Sequence, residues 1–217
     1  SSLVLGFSGS GSGTAGDPYV ITDCFELNET RSDLTAYYEL GNDIDCDVTP
    51  FNTGEGFEPI GNYSSLDAFG GNFNGKNHTI MNIFINNPTE NYMALFSYAR
   101  DSTIENLGLT SANISGYAYV GSLVAYVREA NINSVFSTGI ITCDHYYCGG
   151  LVAKNRKGII NNTYSNVNIT TDYIYVGGLV GQLYEGKVIN SYSAGRVNGS
   201  LSSSDNVGGL IGLIQST

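Results

Sequence analysis

The chain has 217 residues, of which 41% are hydrophobic and 13% are charged, and its net charge is −11. This length and apolar content predict one folded domain or a small two-part unit rather than a disordered tail. The nine Lys and Arg face 20 Asp and Glu, and no basic patch stands out to meet phosphate, so we expect no nucleic-acid partner. No apolar run approaches the length of a transmembrane helix, so we expect no membrane span.

The first 16 residues form a segment of their own. "SSLVLGF" is apolar and predicts a short strand, and "SGSGSGTAG" after it predicts a flexible linker. The residues expected to pair across a junction with another copy of the chain are Leu3, Val4, Leu5 and Phe7. Residues 17–217 contain no further break in composition, which predicts a single domain.

Residues 17–90 predict short strands arranged in two to three irregular coils. The step from Ile80 to Ile104 is shorter than the step that recurs later in the chain. Residues 49–56 contain Pro50 and two glycines, which predicts a loop within this part.

Two features of the irregular coils concern chemistry. Cys24 and Cys46 are separated by close to one irregular coil, each at the end of a predicted strand, and we expect them to form a disulfide. In "NDIDCD", Asp43, Asp45 and Asp47 alternate on one strand face. We expect a solvated acidic face there, with a calcium site as the alternative.

Residues 91–217 repeat with a period of 28. The leucines of "MALFSY", "GSLVAY", "GGLVAK", "GGLVGQ" and "GGLIGL" stand at Leu95, Leu123, Leu151, Leu179 and Leu210, at steps of 28, 28, 28 and 31. Two more apolar columns in the same register are Ile104, Ile132, Ile160 and Val188, and Ile141, Ile169 and Val197. Short runs rich in Val, Ile, Tyr and Thr, interrupted by Gly, Asn and Ser, indicate strands rather than helices. The period therefore predicts an all-β solenoid with about 28 residues per coil, in which equivalent residues stack.

Other columns support the same register. The glycine pairs before the leucines are expected at coil corners that need positive φ or close backbone approach; they are Gly149 and Gly150, Gly177 and Gly178, and Gly208 and Gly209. Asn106, Ser134, Asn162 and Asn190 form a polar column, and Ser137, Ser165 and Ser193 form another. Gly108, Phe136, Tyr164 and Tyr192 form a mostly aromatic column, for which we favour ring stacking over a sugar-binding strip.

The repeats resemble a known family. "VGGLVGQ" at 176–182, preceded by Tyr173 and Tyr175 and followed by "INSYSAG", is similar to the GLUG-motif repeat of bacterial and archaeal surface proteins. The resemblance covers about residues 92–214, and "FGGNFNGKNHTIMNIFI" is similar to the irregular coils that precede such repeats. It implies a right-handed parallel β-helix in an extracellular adhesin or surface-anchored protein, and it brings no catalytic residue.

Cysteine and histidine give few candidates beyond a second disulfide. Cys143 and Cys148 bracket the turn "DHYY" and are predicted to pair, although pairing between subunits and free thiols remain alternatives for all four cysteines. His78 and His145 are expected to be exposed, because neither has the neighbours of a zinc site. We expect no cofactor.

An extracellular location is supported by glycosylation motifs. An even number of cysteines and seven Asn-x-Ser/Thr sites are typical of an oxidising exterior. The candidate glycosylation sites are Asn28, Asn62, Asn77, Asn113, Asn161, Asn168 and Asn198.

The sequence argues against an enzyme. Acidic residues such as Glu105, Glu129, Asp144, Asp172, Glu185 and Asp205 are scattered and are expected to share no column. The basic residues cluster only at "KNRKG", residues 154–158, which is interpreted as a solvated coil corner. A polysaccharide-active enzyme, which needs facing carboxylates, is the third hypothesis.

The C-terminal run "GGLIGLIQST" leads to the first hypothesis. It leaves the apolar residues Leu210, Ile211, Leu213 and Ile214 without a cap in the sequence. We expect a structural protein that assembles end to end into a filament, sheath or surface layer. The second hypothesis is an adhesin module that presents a tyrosine-rich face to glycans or a host surface.

Overall fold

The structure is a computed structural model that describes residues 6–198 and 206–216. It is a β-solenoid of parallel strands, which confirms the predicted fold class. The helices are α1 (Cys24–Glu29) and a 3-10 helix (Thr30–Ser32). The strands are β1 (Tyr19–Ile21), β2 (Tyr37–Leu40), β3 (Ile44–Asp45), β4 (Asn72–Asn74), β5 (Thr79–Met81), β6 (Phe84–Asn87), β7 (Phe96–Arg100), β8 (Thr103–Gly116), β9 (Val124–Arg128), β10 (Asn131–Cys143), β11 (Cys148–Gly149), β12 (Val152–Arg156), β13 (Ile159–Asn161), β14 (Tyr164–Thr170), β15 (Val176–Gly177), β16 (Val180–Tyr184), β17 (Lys187–Ile189), β18 (Tyr192–Ser193), β19 (Val197–Asn198), β20 (Val207–Gly208) and β21 (Ile211–Gln215).

The strands form three sheets that run along the solenoid axis. Sheet 1 has 13 strands, and its main path is β1-β2-β4-β8-β10-β13-β17. Sheet 2 is the short set β11-β15-β20, and sheet 3 is the five-stranded set β21-β16-β12-β9-β7. Every pairing between these described strands is parallel, as expected when each coil lies on the one before it.

The predicted 28-residue columns are confirmed by the strand register. Ile132 pairs with Ile104 on one side and with Ile160 on the other, and Ile160 pairs with Val188. Each leucine of the first column, from Leu123 to Leu210, accepts a backbone hydrogen bond from the preceding coil. The leucines from Leu95 to Leu179 are fully buried, and their stacking forms the core of the regular coils.

The irregular N-terminal coils differ from the expected alignment. Ile104 pairs with Phe73, whereas Ile80 pairs with Leu109. The coil that separates Phe73 from Ile104 is therefore longer than the expected step, and the alignment of Ile80 with Ile104 was wrong. The difference arises because the corner segments between these strands vary in length while the strands themselves keep their register.

The N-terminal segment is ordered where the structure describes it. The ring of Phe7 lies 4.6 Å from that of Tyr19 and 5.9 Å from that of Tyr38. Ser10 forms an antiparallel bridge with Val20, and Ser12 donates to Asp17. Within residues 6–16 the expected flexible linker is therefore a segment folded on the first coil. Leu3, Val4 and Leu5 lie outside the described residues.

A short helix replaces one expected strand end. Cys24 begins α1, whose N-cap Asp23 accepts hydrogen bonds from the amides of Phe25 and Glu26. Leu27 of this helix is fully buried in the core. The expectation that Cys24 ends a strand was wrong, because the Asp23 cap starts a helical turn there.

Three corner columns set the length of the regular coil. The first is Tyr92, Tyr119, Tyr147 and Tyr175, the second is Asp101, Glu129, Lys157 and Glu185, and the third is Asn106, Ser134, Asn162 and Asn190. All twelve residues have φ between +49° and +64°, the left-handed region, which turns the chain sharply at a single residue. Asn in the third column is explained by its tolerance of this conformation. The second column also contradicts the expectation that acidic residues share no column.

The glycine pairs serve close approach rather than positive φ. A Cβ on Gly150 would lie 2.2 Å from the carbonyl oxygen of Gly178 and 2.2 Å from Oγ of Ser165. The predicted serine column thus faces the glycine column across the inside of the coil. The fully buried Ser165 fits there because the opposite wall has no side chain.

Candidate ligand-binding face

Five tyrosines form a continuous stack along one edge of sheet 3. This tyrosine ladder consists of Tyr63, Tyr92, Tyr119, Tyr147 and Tyr175, and successive ring centroids are 4.3, 4.5, 4.9 and 5.0 Å apart. The last four belong to the first corner column, so the left-handed turn of each coil places one phenol in the stack. Tyr63 comes from the long insertion between β3 and β4 and extends the ladder by one ring.

Sheet 3 carries two columns of side chains beside the ladder. In the nearer column, Tyr98, Tyr126 and Lys154 are aligned by direct strand register. In the farther column, two residues along each strand, Arg100 pairs with Arg128 and Arg128 with Arg156. We call Arg100, Arg128 and Arg156 the arginine column. Residues two apart on a strand share a face, so all of these side chains point to the same side of the sheet.

Lys154 joins the ladder to the arginine column. Its Nζ lies 5.4 Å from the ring centre of Tyr147, 5.5 Å from Tyr126 and 5.9 Å from Tyr119, within cation–π range of all three. Burial, together with the nearby charge of Arg156, lowers the pKa of Lys154 below its ordinary value. Arg156 in turn lies 5.7 Å from the ring centre of Tyr184.

The face concentrates positive charge on an acidic chain. Four of the nine Lys and Arg, namely Arg100, Arg128, Lys154 and Arg156, lie together on it. Of the ion pairs within the described ranges, one involves Arg100, with Asp101 at 3.1 Å, and none involves the other three. The expectation that the chain has no basic patch, and that residues 154–158 form only a coil corner, was therefore wrong. Lys154 and Arg156 lie on β12, and the corner residue is Lys157.

The tyrosine ladder offers ring edges rather than open ring faces. Each inner ring is covered on both sides by its neighbours, which leaves its edge for solvent or a ligand. Burial raises the pKa of Tyr92 to about 12, and burial also raises the pKa of Tyr119, Tyr126 and Tyr147. The phenols therefore remain neutral hydrogen-bond donors at physiological pH.

A cleft of ≈ 470 Å³ adjoins the start of the ladder. Tyr92 lines it together with Glu55, Glu58 and Glu90. All three glutamates are exposed, and Glu58 forms an ion pair with Arg31.

A further aromatic column lies elsewhere on the solenoid. Phe136, Tyr164 and Tyr192 stack at 5.1 Å with their planes within 7°, as the favoured stacking interpretation requires. Gly108 cannot continue this column, because a Cβ there would lie 2.6 Å from the Phe136 ring.

The two histidines take defined places in the fold. His145 stacks between Tyr117 and Tyr173 at 4.9 and 4.8 Å and is half-buried, so it is not simply exposed. His78 is also half-buried, with Nδ1 3.3 Å from Asp43.

Both predicted disulfides are present. Cys24 is bonded to Cys46 and Cys143 to Cys148, with Cα–Cα distances of 5.3 and 6.3 Å. In the part of the chain that the structure describes, no three or more His, Cys, Asp or Glu side chains come together as a metal site.

The aspartates proposed as calcium ligands have other partners. Oδ1 of Asp43 accepts from the amide of Thr79, and Oδ1 of Asp45 accepts from the amide of Asp47 and from Nδ2 of Asn82. The two bonds to Asp45 lower its pKa, and the bonds to both residues hold the carboxylates to their own chain.

The candidate glycosylation sites divide by exposure. Asn62, Asn77, Asn113, Asn168 and Asn198 are exposed, whereas Asn28 and Asn161 are half-buried. Nδ2 of Asn161 donates to Oδ1 of Asn133 in the previous coil at 3.0 Å, and its Oδ1 accepts from Asn190 at 3.4 Å. A glycan on Asn161 would break this coil-to-coil ladder.

The residues predicted for self-association are found at the edge formed by β21. Leu210, Ile211 and Leu213 are half-buried, and Ile214 is 69% exposed. Within the described ranges β21 pairs with β16 and has no strand on its other side. Phe7, in contrast, packs within its own chain.

The arginine column was missed in the sequence although a signal was present. Arg100, Arg128 and Arg156 recur with the same period of 28 as the leucines. An alignment of charged as well as apolar positions would have found it.

Together, the fold and the face define a regular β-solenoid with an aromatic and basic face on one side. Residues 172–198 match the family model of the GLUG motif. This match, together with the solenoid fold, confirms the resemblance to GLUG-repeat β-helix proteins. The family model covers one repeat, residues 172–198, whereas the resemblance was expected over about residues 92–214.

Two curated relatives match about half of the chain. Halomucin of Haloquadratum walsbyi is 35% identical over 121 residues, which is 52% of this chain and 1% of that protein. A protein of Evansella cellulosilytica named "Putative Gly-rich membrane protein" is 34% identical over 119 residues, which is 52% of this chain and 14% of that protein. The chain thus corresponds to a small part of each.

Solved structures share the fold. A Bacteroides ovatus protein called "a putative immunoglobulin A1 protease" superposes with a TM-score of 0.63 at 16% identity, covering 95% of this chain and 86% of that chain. A protein called "IgA1 Protease" superposes with a TM-score of 0.63 at 20% identity, covering 86% of this chain and 15% of that chain. Neither helix of the described ranges has the length and apolar character to cross a bilayer.

Proposed function

We propose that this chain is a non-enzymatic module of an extracellular surface protein and that it binds polysaccharide through the tyrosine ladder and the columns beside it. The observation that carries the proposal is the ladder of five phenols aligned with four cationic side chains. Hydroxyl groups and guanidinium groups are donors that suit the many oxygen acceptors of a glycan. The two disulfides and the names of the relatives support a surface location.

A panel of immobilised polysaccharides tests this function. The wild-type chain is expected to bind at least one member of the panel, and Tyr147→Ala is expected to weaken that binding because it removes the middle of the ladder. Tyr164→Ala is the matched control, since it removes a ring from the separate stack with Phe136 and Tyr192. Thermal melting must show that both variants remain folded. Retention of full binding by folded Tyr147→Ala would contradict the proposal.

End-to-end association is a second candidate function, favoured by the edge at β21. Ile214 is 69% exposed beside Leu213, which offers apolar surface and unpaired backbone groups to another chain. The opposite end is less open, because residues near Ser10 already pair with β1. Growth into a filament or sheath therefore requires the segment near Ser10 to move away from β1, or a different surface of the chain to pair with β21.

Sedimentation and electron microscopy of the purified chain test the association. Assemblies that form with the wild-type chain are expected to be lost in Ile214→Lys. Ile140→Lys is the control, since Ile140 is 51% exposed on sheet 1, away from the edge. A strictly monomeric wild-type chain at all concentrations would rule out this function.

A further inference from the structure

We infer that the ligand of this face is an acidic linear polysaccharide, with carboxylate or sulfate groups, that lies parallel to the solenoid axis along the arginine column. The inference rests on the proposed function and adds the chemical class and the direction of the ligand. The observation that supports the inference is that the arginines of the arginine column recur once in each coil.

The arginine column is a straight row of cations. Direct strand pairing places Arg100, Arg128 and Arg156 one above the other, one per coil. Neighbouring strands are about 4.8 Å apart, so the three residues span about 10 Å along the axis. A rigid row of this kind matches an extended polymer with charges at regular intervals better than it matches a compact ligand.

The two sides of the row differ in a way that guides such a polymer. On one side lie the phenol edges of the ladder and the ammonium group of Lys154. On the other side lies the second corner column, in which Asp101, Glu129, Lys157 and Glu185 follow the strands of sheet 3, with Lys157 and Glu185 joined in an ion pair at 3.6 Å. Like charges repel, so Asp101 and Glu129 confine an anionic chain beside Arg100 and Arg128, whereas Lys157 adds a cation beside Arg156.

The arginines are available to a ligand. Arg128 and Arg156 are half-buried, and neither takes part in an ion pair within the described ranges. Arg100 is exposed, with 50% of its side chain accessible. Guanidinium groups bind carboxylate and sulfate oxygens in bidentate geometry, which favours an acidic over a neutral glycan.

Nucleic acid is a less suitable polyanion. The tyrosine rings are stacked on each other, so they offer few free faces for bases.

Three polymers with one backbone test the inference on the full chain: dextran, carboxymethyl-dextran and dextran sulfate of equal length, measured by biolayer interferometry. We expect the acidic forms to bind about tenfold or more tightly than dextran. We also expect this advantage to shrink between about 50 mM and about 500 mM NaCl, because salt screens partly exposed charges.

A matched pair of double variants locates the site. Arg128→Gln with Arg156→Gln is expected to lower the affinity for the acidic dextran about tenfold or more. Lys187→Gln with Arg196→Gln changes the net charge equally, but Lys187 lies on β17 of sheet 1 and Arg196 directly precedes β19 of the same sheet, so this variant is expected to retain the affinity.

The outcomes separate this inference from the proposed function. Equal binding of dextran and its acidic forms would overturn the inference and leave polysaccharide binding intact. Absence of binding to these polymers and to the whole polysaccharide panel would overturn the proposed function itself. Equally tight binding of an oligodeoxythymidine would overturn the polysaccharide assignment. Equal loss in both double variants would overturn the location.

Discussion

At the scale of single residues, the conformation of the corners explains which side chains repeat. The 28-residue spacing of Asn106, Ser134 and Asn162 was visible in the sequence, and their left-handed φ was not. Tyr and Glu rarely adopt this conformation, so nothing in their chemistry identifies Tyr147 or Glu129 as corner residues. The sequence suggested glycines at the corners. In the structure the glycine pairs are needed instead where two walls of the coil touch.

Gly178 provides a residue-level test of this close approach. A Cβ at this position would lie 2.2 Å from the carbonyl oxygen of Gly209 and 2.2 Å from Oγ of Ser193. We expect Gly178→Ala to lower the free energy of unfolding by about 1–3 kcal/mol, measured by urea denaturation, because the coil must shift. Gly209→Ala, in the same column with no atom within 4 Å of the added Cβ, is expected to change it little. Equal effects would contradict the explanation.

At the scale of elements, the cysteine spacing predicted both bridges, whereas the helix at one of them was not predicted. Cys24 and Cys46 tie α1 to the strand β3, and the short segment between Asp23 and Leu27 offers too few residues for a helical pattern to appear in the sequence. The hydrogen bonds that the Asp23 side chain accepts from Phe25 and Glu26 start the helix at this position.

The two disulfides are expected to differ in their contribution to stability. The Cys24–Cys46 disulfide joins residues 22 positions apart in the sequence. The Cys143–Cys148 disulfide joins residues 5 positions apart. Loop entropy predicts that Cys24→Ser with Cys46→Ser costs about 3 kcal/mol and that Cys143→Ser with Cys148→Ser costs about 2 kcal/mol. Urea denaturation of the two double variants gives the comparison. A larger loss from the shorter loop would show that local packing at that corner outweighs loop entropy.

The tyrosine ladder predicts a loss of stability at high pH. Burial raises the pKa of Tyr92 from 10.0 to about 12, so the unfolded chain releases this proton at a lower pH than the folded chain. The folded state then binds more protons than the unfolded state between these values, and its stability falls as the pH rises through this window. We expect the urea midpoint to decrease there, and to decrease less in Tyr92→Phe.

The control for the alkaline experiment is Tyr192→Phe. Tyr192 is 57% exposed and lies outside the tyrosine ladder. We expect this variant to retain the wild-type decrease of the urea midpoint. An identical decrease in Tyr92→Phe and the wild type would show that Tyr92 does not contribute.

At the scale of the whole molecule, the period predicted the solenoid, but it did not predict the binding face. Apolar columns determine the core and can be read from the spacing of Leu123 and Leu151 alone. The face depends on which side of β12 Lys154 points to and on the insertion that brings Tyr63 to the ladder. Both require the three-dimensional path of the chain between strands.

Hydrogen exchange is expected to follow the burial of the coils. The strands β8 and β10 each pair with a coil on both sides, and their inward-facing side chains are fully buried. We therefore expect their amides to exchange most slowly. Those of β17, β18 and β19 belong to the last described coil of sheet 1 and carry exposed residues, so we expect faster exchange. Uniform protection from β8 to β19 would contradict a stack in which each coil depends on its neighbours.

The three corner columns also bear on how such a chain can evolve. Because every regular coil turns at the same three positions, duplication of one repeat unit inserts a complete layer without disturbing the packing above or below it. Each added layer can supply one more cation and one more phenol to the binding face. Gene duplication within the repeat would thus lengthen the track for a polymer, and affinity could be adjusted by copy number without changing any existing contact.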